Sequence, residues 1–270
     1  MKPESSLMGS VLSRKVAHAH LSCWWLGGSG FIFKSPLGVI TFIDPYLSNS
    51  VEDIFGIKRA FPAPIRPEEV RADVVISTHW HEDHLDPGSI PIIARNNSDA
   101  KFVMPPSAMA RALSWGVRRS QIVSLSRGES SAFNDTRIDA TPARHEPSIP
   151  GWEVPDAIGV LLQVGDLKIY HSGDTEYDLR LRQLKQLNLD VAMLCINGAG
   201  GNMDAYEAAL LAWRLGARQV IPIHHLLWAS KSENPDETLD PQLFVETYAR
   251  LGGKGAPLVP EVAQEIDFKR

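Results

Sequence analysis

Cysteine is scarce: Cys23 and Cys195 are the only two in 270 residues. Both fall in apolar, strand-like runs, which fits buried reduced thiols, with one bridge between them as the alternative, and excludes a disulfide-dense scaffold. No apolar run reaches the length of a membrane span. Residues 1–20 carry Lys2, Arg14 and Lys15 without a continuous apolar core, so no secretory signal is read and a cytoplasmic protein is expected. Positive charge is not in excess either. The 27 Lys and Arg against 32 Asp and Glu leave a net charge of −5, which gives no electrostatic reason to expect nucleic acid as a partner. Compositional breaks and linkers are also lacking. The chain therefore reads as one domain over residues 1–270, with residues 1–17 as a tail or edge element, and its 44% hydrophobic content suffices for a sizeable core.

Histidine, by contrast, is abundant. Seven of the nine lie in or beside a few short segments. The densest is Ser77-Thr78-His79-Trp80-His81-Glu82-Asp83-His84-Leu85-Asp86-Pro87, which follows the apolar β-type run Val74-Val75-Ile76. Imidazole and carboxylate together suit borderline divalent cations such as zinc, manganese or iron. His79 and His81, two apart, point the same way off an extended strand end. Asp83 and His84 come after the chain has turned. That spacing predicts two adjacent metal positions, one fed by each pair. His18-Ala19-His20 repeats the strand spacing but has no third ligand nearby, so an edge strand or tail is the preferred reading there.

Strands are expected at 23–26, 31–33, 39–43, 102–104, 122–125, 131–143, 158–163, 167–170, 191–196 and 219–223 from apolar, β-branched and aromatic runs bounded by turn residues. Gly27-Gly28-Ser29-Gly30 permits a turn or close backbone approach and lacks the Lys-Ser/Thr ending of a phosphate loop. Helices are expected after Pro87 or Pro91, at 107–115, at 179–187, after a cap at Asn202, and from Asp240-Pro241 to Gly252. In the helix after Asn202, the residues Met203, Tyr206, Leu210 and Trp213 have core spacing. Residues 45–72 read as a flap over the site, with an oligomer contact as the alternative, and residues 147–157 as a second wall of the pocket. Two blocks of similar plan, 21–115 and 120–251, alternate strand and helix, which establishes an α/β class. Asp44, His79, His145, Asp174 and His224 each stand at the mouth of an apolar strand, where loops of layered α/β folds converge on a ligand.

Thr-His-x-His-x-Asp-His, at Thr78 to His84, resembles the signature of the metallo-β-lactamase fold superfamily. The resemblance implies a four-layer αββα sandwich. It also implies that His79, His81 and His145 hold one divalent cation while Asp83, His84 and His224 hold another. Asp174, in Ser-Gly-Asp, would bridge two ions of manganese or zinc, with iron as the alternative. Asp44 falls where the superfamily orients its ligands. Ser114-Trp115-Gly116-Val117, Tyr170-His171-Ser172-Gly173-Asp174 and Pro222-Ile223-His224-His225-Leu226-Leu227-Trp228 are similar to the L-ascorbate-6-phosphate lactonase branch. The histidine at 145 and a shorter segment between His145 and Asp174 depart from that branch, and both touch the pocket. The implied chemistry is metal-assisted hydrolysis of a small sugar lactone or its phosphate. Asp83 would hold the nucleophile or shuttle its proton, and His225 would line the pocket or help the leaving group. Phosphodiester cleavage is the alternative activity and a non-enzymatic metal scaffold the alternative class. A small-molecule substrate is expected, without nucleic acid or membrane, and self-association into a homo-oligomer is left open.

Overall fold

The computed structural model describes residues 6–146, 149–229 and 240–270. The start of the expected tail, residues 1–5, and residues 147–148 of the expected second wall lie outside them. In chain order the first half runs α1 (Leu7–Ser13), β1 (His20–Gly27), β2 (Gly30–Lys34), β3 (Ile40–Ile43), α2 (Ser50–Phe55), β4 (Val74–Ile76), α3 (Ile90–Asn96), β5 (Lys101–Met104), α4 (Pro106–Ser114) and β6 (Ile122–Ser124). The second half runs β7 (Ser130–Phe133), β8 (Thr136–Pro142), β9 (Ile158–Val164), β10 (Leu167–His171), a 3₁₀ helix (Leu179–Leu187), β11 (Val191–Cys195), α5 (Ala205–Leu215), β12 (Gln219–Ile223), α6 (Pro241–Arg250), β13 (Ala256–Pro257) and β14 (Glu265–Lys269).

The strands form two seven-stranded mixed sheets, ordered β14-β1-β2-β3-β4-β5-β6 and β13-β12-β11-β10-β9-β8-β7. Each begins with antiparallel hairpins and continues as parallel strands joined through helices. The sheets pack face to face with helices outside, which is the αββα sandwich of the metallo-β-lactamase fold. Side-chain alternation along β1 shows how one sequence serves two layers. Leu21, Cys23 and Trp25 enter the core shared with the second sheet, whereas Trp24 and Leu26 enter the core beneath the outer helices. Phe31 and Phe33 likewise face inward and Ile32 outward. β11 is buried along its whole length, as a parallel strand covered on both faces must be. Among the described residues no helix is long and apolar enough to cross a membrane.

Several expectations need correction. Residues 7–13 are a helix rather than tail: Met8 and Val11, three apart, are buried, and the Lys34 ammonium donates to the carbonyls of Val11 and Leu12, both at 2.8 Å. The block boundary moves, because β6 pairs in parallel with β5 and completes the first sheet, and β14 returns from the C-terminal end to pair with β1. The helix at 179–187 is 3₁₀. Its apolar side chains Leu181, Leu184 and Leu187 recur every third residue, the repeat of that helix, so a three-residue turn puts all three on the sheet. On α5 the face toward the core is Ala205, Ala208, Ala209, Leu211, Ala212 and Leu215, while Tyr206 and Trp213 are about half exposed. Small side chains let that helix approach the sheet closely, and the large ones are left outside.

Candidate metal centre

One end of the two sheets gathers the polar residues that follow the strands. β3 stops at Asp44, whose backbone is left-handed at φ 46° and whose N–H donates to the Ile76 carbonyl at 2.8 Å. This turn aims its buried carboxylate across β4. It accepts from the Thr78 N–H at 2.8 Å, the Thr78 hydroxyl at 2.8 Å and His84 Nδ1 at 2.9 Å. Beyond β4 the chain bends at once, with the N–H groups of His84 and Leu85 on the His81 carbonyl at 2.9 and 2.7 Å. The second sheet is joined to this turn where Ile158 N–H donates to the Thr78 carbonyl at 3.1 Å. Gly173 permits the same approach from β10. A Cβ there would stand 2.9 Å from both the Ile158 oxygen and the Thr78 Cβ, and its φ is +56°. Gly27 and Gly28 act alike, since added Cβ atoms would meet Phe61 and Leu227 at 2.5 and 2.8 Å.

The seven residues expected as ligands converge here. His79 Nε2 lies 2.9 Å from His81 Nδ1, and His145 Nε2 lies 3.1 Å from the same atom. His84 Nε2 lies 3.3 Å from His224 Nε2 and 3.3 Å from Asp174 Oδ1. Asp83 Oδ2 is 3.3 Å from His224 Nε2, while Asp174 Oδ2 is 3.5 Å from His224 Nε2 and 3.9 Å from His145 Nε2. The atoms group as His79–His81–His145, His79–His84–Asp174 and Asp83–His84–His224, each within 4.8 Å. His225 is not among them. Its buried ring lies against Trp25, with centroids 5.0 Å apart.

Hydrogen bonds around the cluster fix which nitrogen faces inward. A carboxylate and a carbonyl only accept, so His84 Nδ1–H donates to Asp44, and His81 Nε2–H donates to the Trp152 carbonyl at 3.0 Å. The Thr78 hydroxyl is committed to Asp44, so its oxygen receives His79 Nδ1–H at 3.1 Å. The inward nitrogens of His79, His81 and His84 then carry lone pairs when these rings are neutral. His79 Nε2 and His81 Nδ1, facing each other at 2.9 Å, repel unless a cation lies between them. Asp174 Oδ1 is buried without a hydrogen-bond donor. Imidazole and carboxylate donors of this number, with partners behind them that set their orientation, fit a divalent cation.

Electrostatics separates the cluster into two parts. Burial lowers the basicity of His79 and His81 and brings the pKa of His145 down to about 4. Burial acts the same way on His84 and His224, but there Asp174 and Asp83 outweigh it and raise both values, with Asp44 also acting on His84. The two carboxylates respond in kind. Burial opposes their charge, yet His84 and His224 hold Asp83 down at about 2 and Asp174 well below the usual range. Burial also pushes His225 down to about 4.

Three contributors escaped the sequence. Asn202 was expected to cap α5, but Asp204 is the cap, accepting from Glu207 N–H at 2.8 Å in a reciprocal capping box. Asn202 instead donates from Nδ2 to Asp174 Oδ2 at 2.7 Å and to Asn197 at 3.0 Å. Asp-x-x-Glu at 204–207 was the available signal for the cap. Asp86 is the second. Fully buried, it accepts from Leu47 N–H, Ser48 N–H, the Ser48 and Ser50 hydroxyls, Gly88 N–H and the Ser89 hydroxyl, and so ties the base of residues 45–72 to the turn that carries His84. The third is Trp25. Its indole N–H and the His224 N–H share the Gly28 carbonyl, at 3.0 and 2.9 Å, and so steady His224 in a left-handed conformation at φ 59°. Neither of the last two roles was legible in advance, because each also needs a partner remote in the chain: Leu47, Ser48 and Ser50 for Asp86, and for Trp25 the His224 N–H that shares the Gly28 carbonyl.

The family described as a β-lactamase superfamily domain matches residues 22–224. A UPF0173 metal-dependent hydrolase of Bacillus licheniformis is 31% identical over 234 residues, 84% of this chain and 90% of that one. A protein of Escherichia coli named "Probable L-ascorbate-6-phosphate lactonase UlaG" is 24% identical over 273 residues, 86% of this chain and 77% of its own. Among solved structures, Igni18, a metallo hydrolase from the hyperthermophilic archaeon Ignicoccus hospitalis, superposes with a TM-score of 0.71 at 24% identity, covering 93% of this chain and 99% of that one. An isothiocyanate hydrolase from Delia radicum gut bacteria also gives 0.71, at 19% identity, covering 92% and 99%. Both superpositions support the fold.

Proposed function

The chain belongs to the β-lactamase superfamily and is a metal-dependent hydrolase, and from that premise we propose that it opens small lactones, with sugar lactones or their phosphates as the first candidates. The observation that carries this reading is the convergence of seven ligand residues, four of which, His79, His81, His84 and Asp174, are oriented by hydrogen bonds behind them. In the proposal His79, His81 and His145 would hold one manganese or zinc ion and Asp83, His84 and His224 a second, with Asp174 within reach of both groups. Cations held there would lower the pKa of water toward ~7 and polarise an ester oxygen.

The chain's own residues supply the remainder. Asp83, less buried than the histidines and held ionised by His84 and His224, would take up the proton released by the attacking water at Oδ1, leaving Oδ2 toward His84 and His224. Asn202 keeps Asp174 in place through Oδ2. Asp44 and the Trp152 carbonyl hold His84 and His81 in the tautomers that face the cluster. His225 takes a packing part in this reading rather than the expected leaving-group role. Buried against Trp25 with a pKa of about 4, it is neutral near pH ~7 and has no readily given proton.

A small-molecule partner is supported by the charges around the site, which are mostly matched: Arg111 pairs with Glu82, and Arg144 with Glu146 and Glu176. Paired cations make a poor track for a nucleic-acid backbone. The test is a panel of lactones and phosphodiesters given to manganese- and zinc-reconstituted protein, with acid release followed at constant pH. Lactones turned over with the higher kcat/KM support the proposal, and the reverse order transfers it to the phosphodiesterase reading.

A further inference from the structure

The tip of the 45–72 segment presents apolar side chains where solvent would ordinarily select polar ones. Ile54, Phe55 and Ile57, at the end of α2 and just past it, are 53%, 39% and 41% exposed. The rest of the segment is anchored: Tyr46, Leu47, Val51, Ile65 and Val70 are buried, and Asp86 fastens its base. A scattered exposed apolar residue needs no explanation, but three within four positions do.

They do not face outward at random. The Phe55 ring meets the Trp152 ring with centroids 5.1 Å apart. Trp152 in turn lies 5.1 Å from the ring of His81, and its carbonyl accepts His81 Nε2–H at 3.0 Å. Ile149, whose carbonyl accepts the Trp152 N–H at 3.1 Å, is 52% exposed on the same turn. A continuous ridge of rings and branched alkyl groups thus begins on an imidazole of the cluster and runs out to solvent. Its two sides come from segments far apart in sequence, which meet at the Phe55–Trp152 contact.

We propose that this ridge is a binding subsite for an apolar substituent, alkyl or aryl, attached to the carbonyl compound on which the cluster acts. The inference rests on the hydrolase reading above and adds the class of group that accompanies the scissile bond. Continuity with His81 is what selects this occupant. An extended chain leaving the cluster meets Trp152 first and Phe55 next, and it covers surface that water otherwise wets. Alkyl and aryl groups bury more apolar area on these side chains than a hydroxyl-bearing substituent does.

The first measurement does not depend on turnover. Butanoate, hexanoate and octanoate are titrated calorimetrically into the manganese- or zinc-loaded full chain. The proposal expects affinity to rise roughly two- to fourfold per added methylene, the range for partial to full burial of that group. It expects Phe55→Ser with Ile57→Ser to flatten the rise and Phe55→Leu to retain it. Thermal unfolding of each variant checks that the fold is kept, which the exposure of both side chains favours. The second measurement compares kcat/KM for γ-lactones that share one ring and bear methyl, butyl or hexyl groups. Chain-length dependence among the carboxylates with no lactone turned over leaves the subsite standing and removes the lactonase reading. Lactones turned over at equal rates, with equal carboxylate affinities at every length, overturn the subsite and leave the lactonase reading intact. Sedimentation of the same variants supplies the last arm. If the serine variant breaks an oligomer apart while the chain-length dependence persists, the ridge is a contact between copies of this chain and the proposal fails.

Discussion

His79, His81 and His145 face one another as three imidazoles, whereas His84 and His224 share their space with Asp83 and Asp174. Burial is similar on the two sides, yet the first three histidines lose basicity and the other two gain it. The difference teaches that burial alone does not set the charge of a buried imidazole. A carboxylate a few ångströms away reverses its direction. Without a cation, the first group remains neutral, while the second takes protons and forms ion pairs.

The sharpest way to break the comparison is to remove a ligand from each side. His84→Ala and His145→Ala should both lower hydrolysis on the order of 10³-fold, the effect of losing several kcal/mol of cation-assisted stabilisation. Metal analysis should show each variant short of bound metal, and chelation of the unaltered protein should abolish activity. Full activity in either variant, with metal content equal, removes that residue from the ligand set. Asp83→Asn keeps shape but not charge and should cost kcat on the order of 10²-fold. A variant within a few-fold of the unaltered enzyme would refute the proton-transfer role.

Asp44→Ala comes next. It strips the partner from His84 Nδ1 and should weaken metal binding roughly 10- to 100-fold on the carboxylate-rich side. Equal weakening on both sides would show that Asp44 acts on the whole loop rather than through His84. The protonation difference predicts a further effect. His84 and His224 have raised pKa values, so in the metal-free protein their ion pairs contribute stability below those values, and it is lost as pH rises through them. His145 works in reverse. Its contribution as a neutral group holds above ~6.5, declines below that, and is gone once pH reaches about 4. Near pH ~7, metal loading beside His84 and His224 should therefore release protons, with affinity rising roughly tenfold per pH unit for each proton released, whereas loading beside His145 should release none. Calorimetry in buffers of differing ionisation enthalpy reads this directly, and equal release on the two sides would contradict it. The smallest effect belongs to Trp25→Phe, which keeps the ring on His225 but loses the bond to the Gly28 carbonyl. It should weaken metal binding only a few-fold and only on the His224 side. An equal loss beside His145 would mean general destabilisation.

The same division runs through what could be read in advance. His79, His81, Asp83 and His84 are legible because six consecutive residues after an apolar strand carry the chemistry themselves. The strands β1 and β2 were legible as apolar runs, but not the layer each side chain enters, since Cys23 to Leu26 and Phe31 to Phe33 are apolar at every position and both faces are buried. Asn202 was misread because a capping residue and a residue bonded to Asp174 look alike until the β10 and β11 ends are brought together. Tyr206 and Trp213 were misread because a helix with apolar residues on two sides does not declare which faces the sheet, and the alanine side packs closer. Asp86 and Trp25 were silent, their roles depending on Ser48 and Ser50 and on His224, all remote in the chain.

By itself, then, the sequence determined the kind of donor available and its local spacing, the position of Asp44, His145, Asp174 and His224 after apolar strands, and the strand–helix alternation of an α/β chain. Tertiary structure decided which nitrogen of His79, His81 and His84 faces the cluster, because that depends on Thr78, Trp152 and Asp44 standing behind the rings. It also decided how basic each ring is, because Coulomb interaction falls with distance in space and takes no account of separation along the chain. His84 and His224 are 140 residues apart in sequence and 3.3 Å apart at their Nε2 atoms, and only the packing of one sheet on the other sets the second distance.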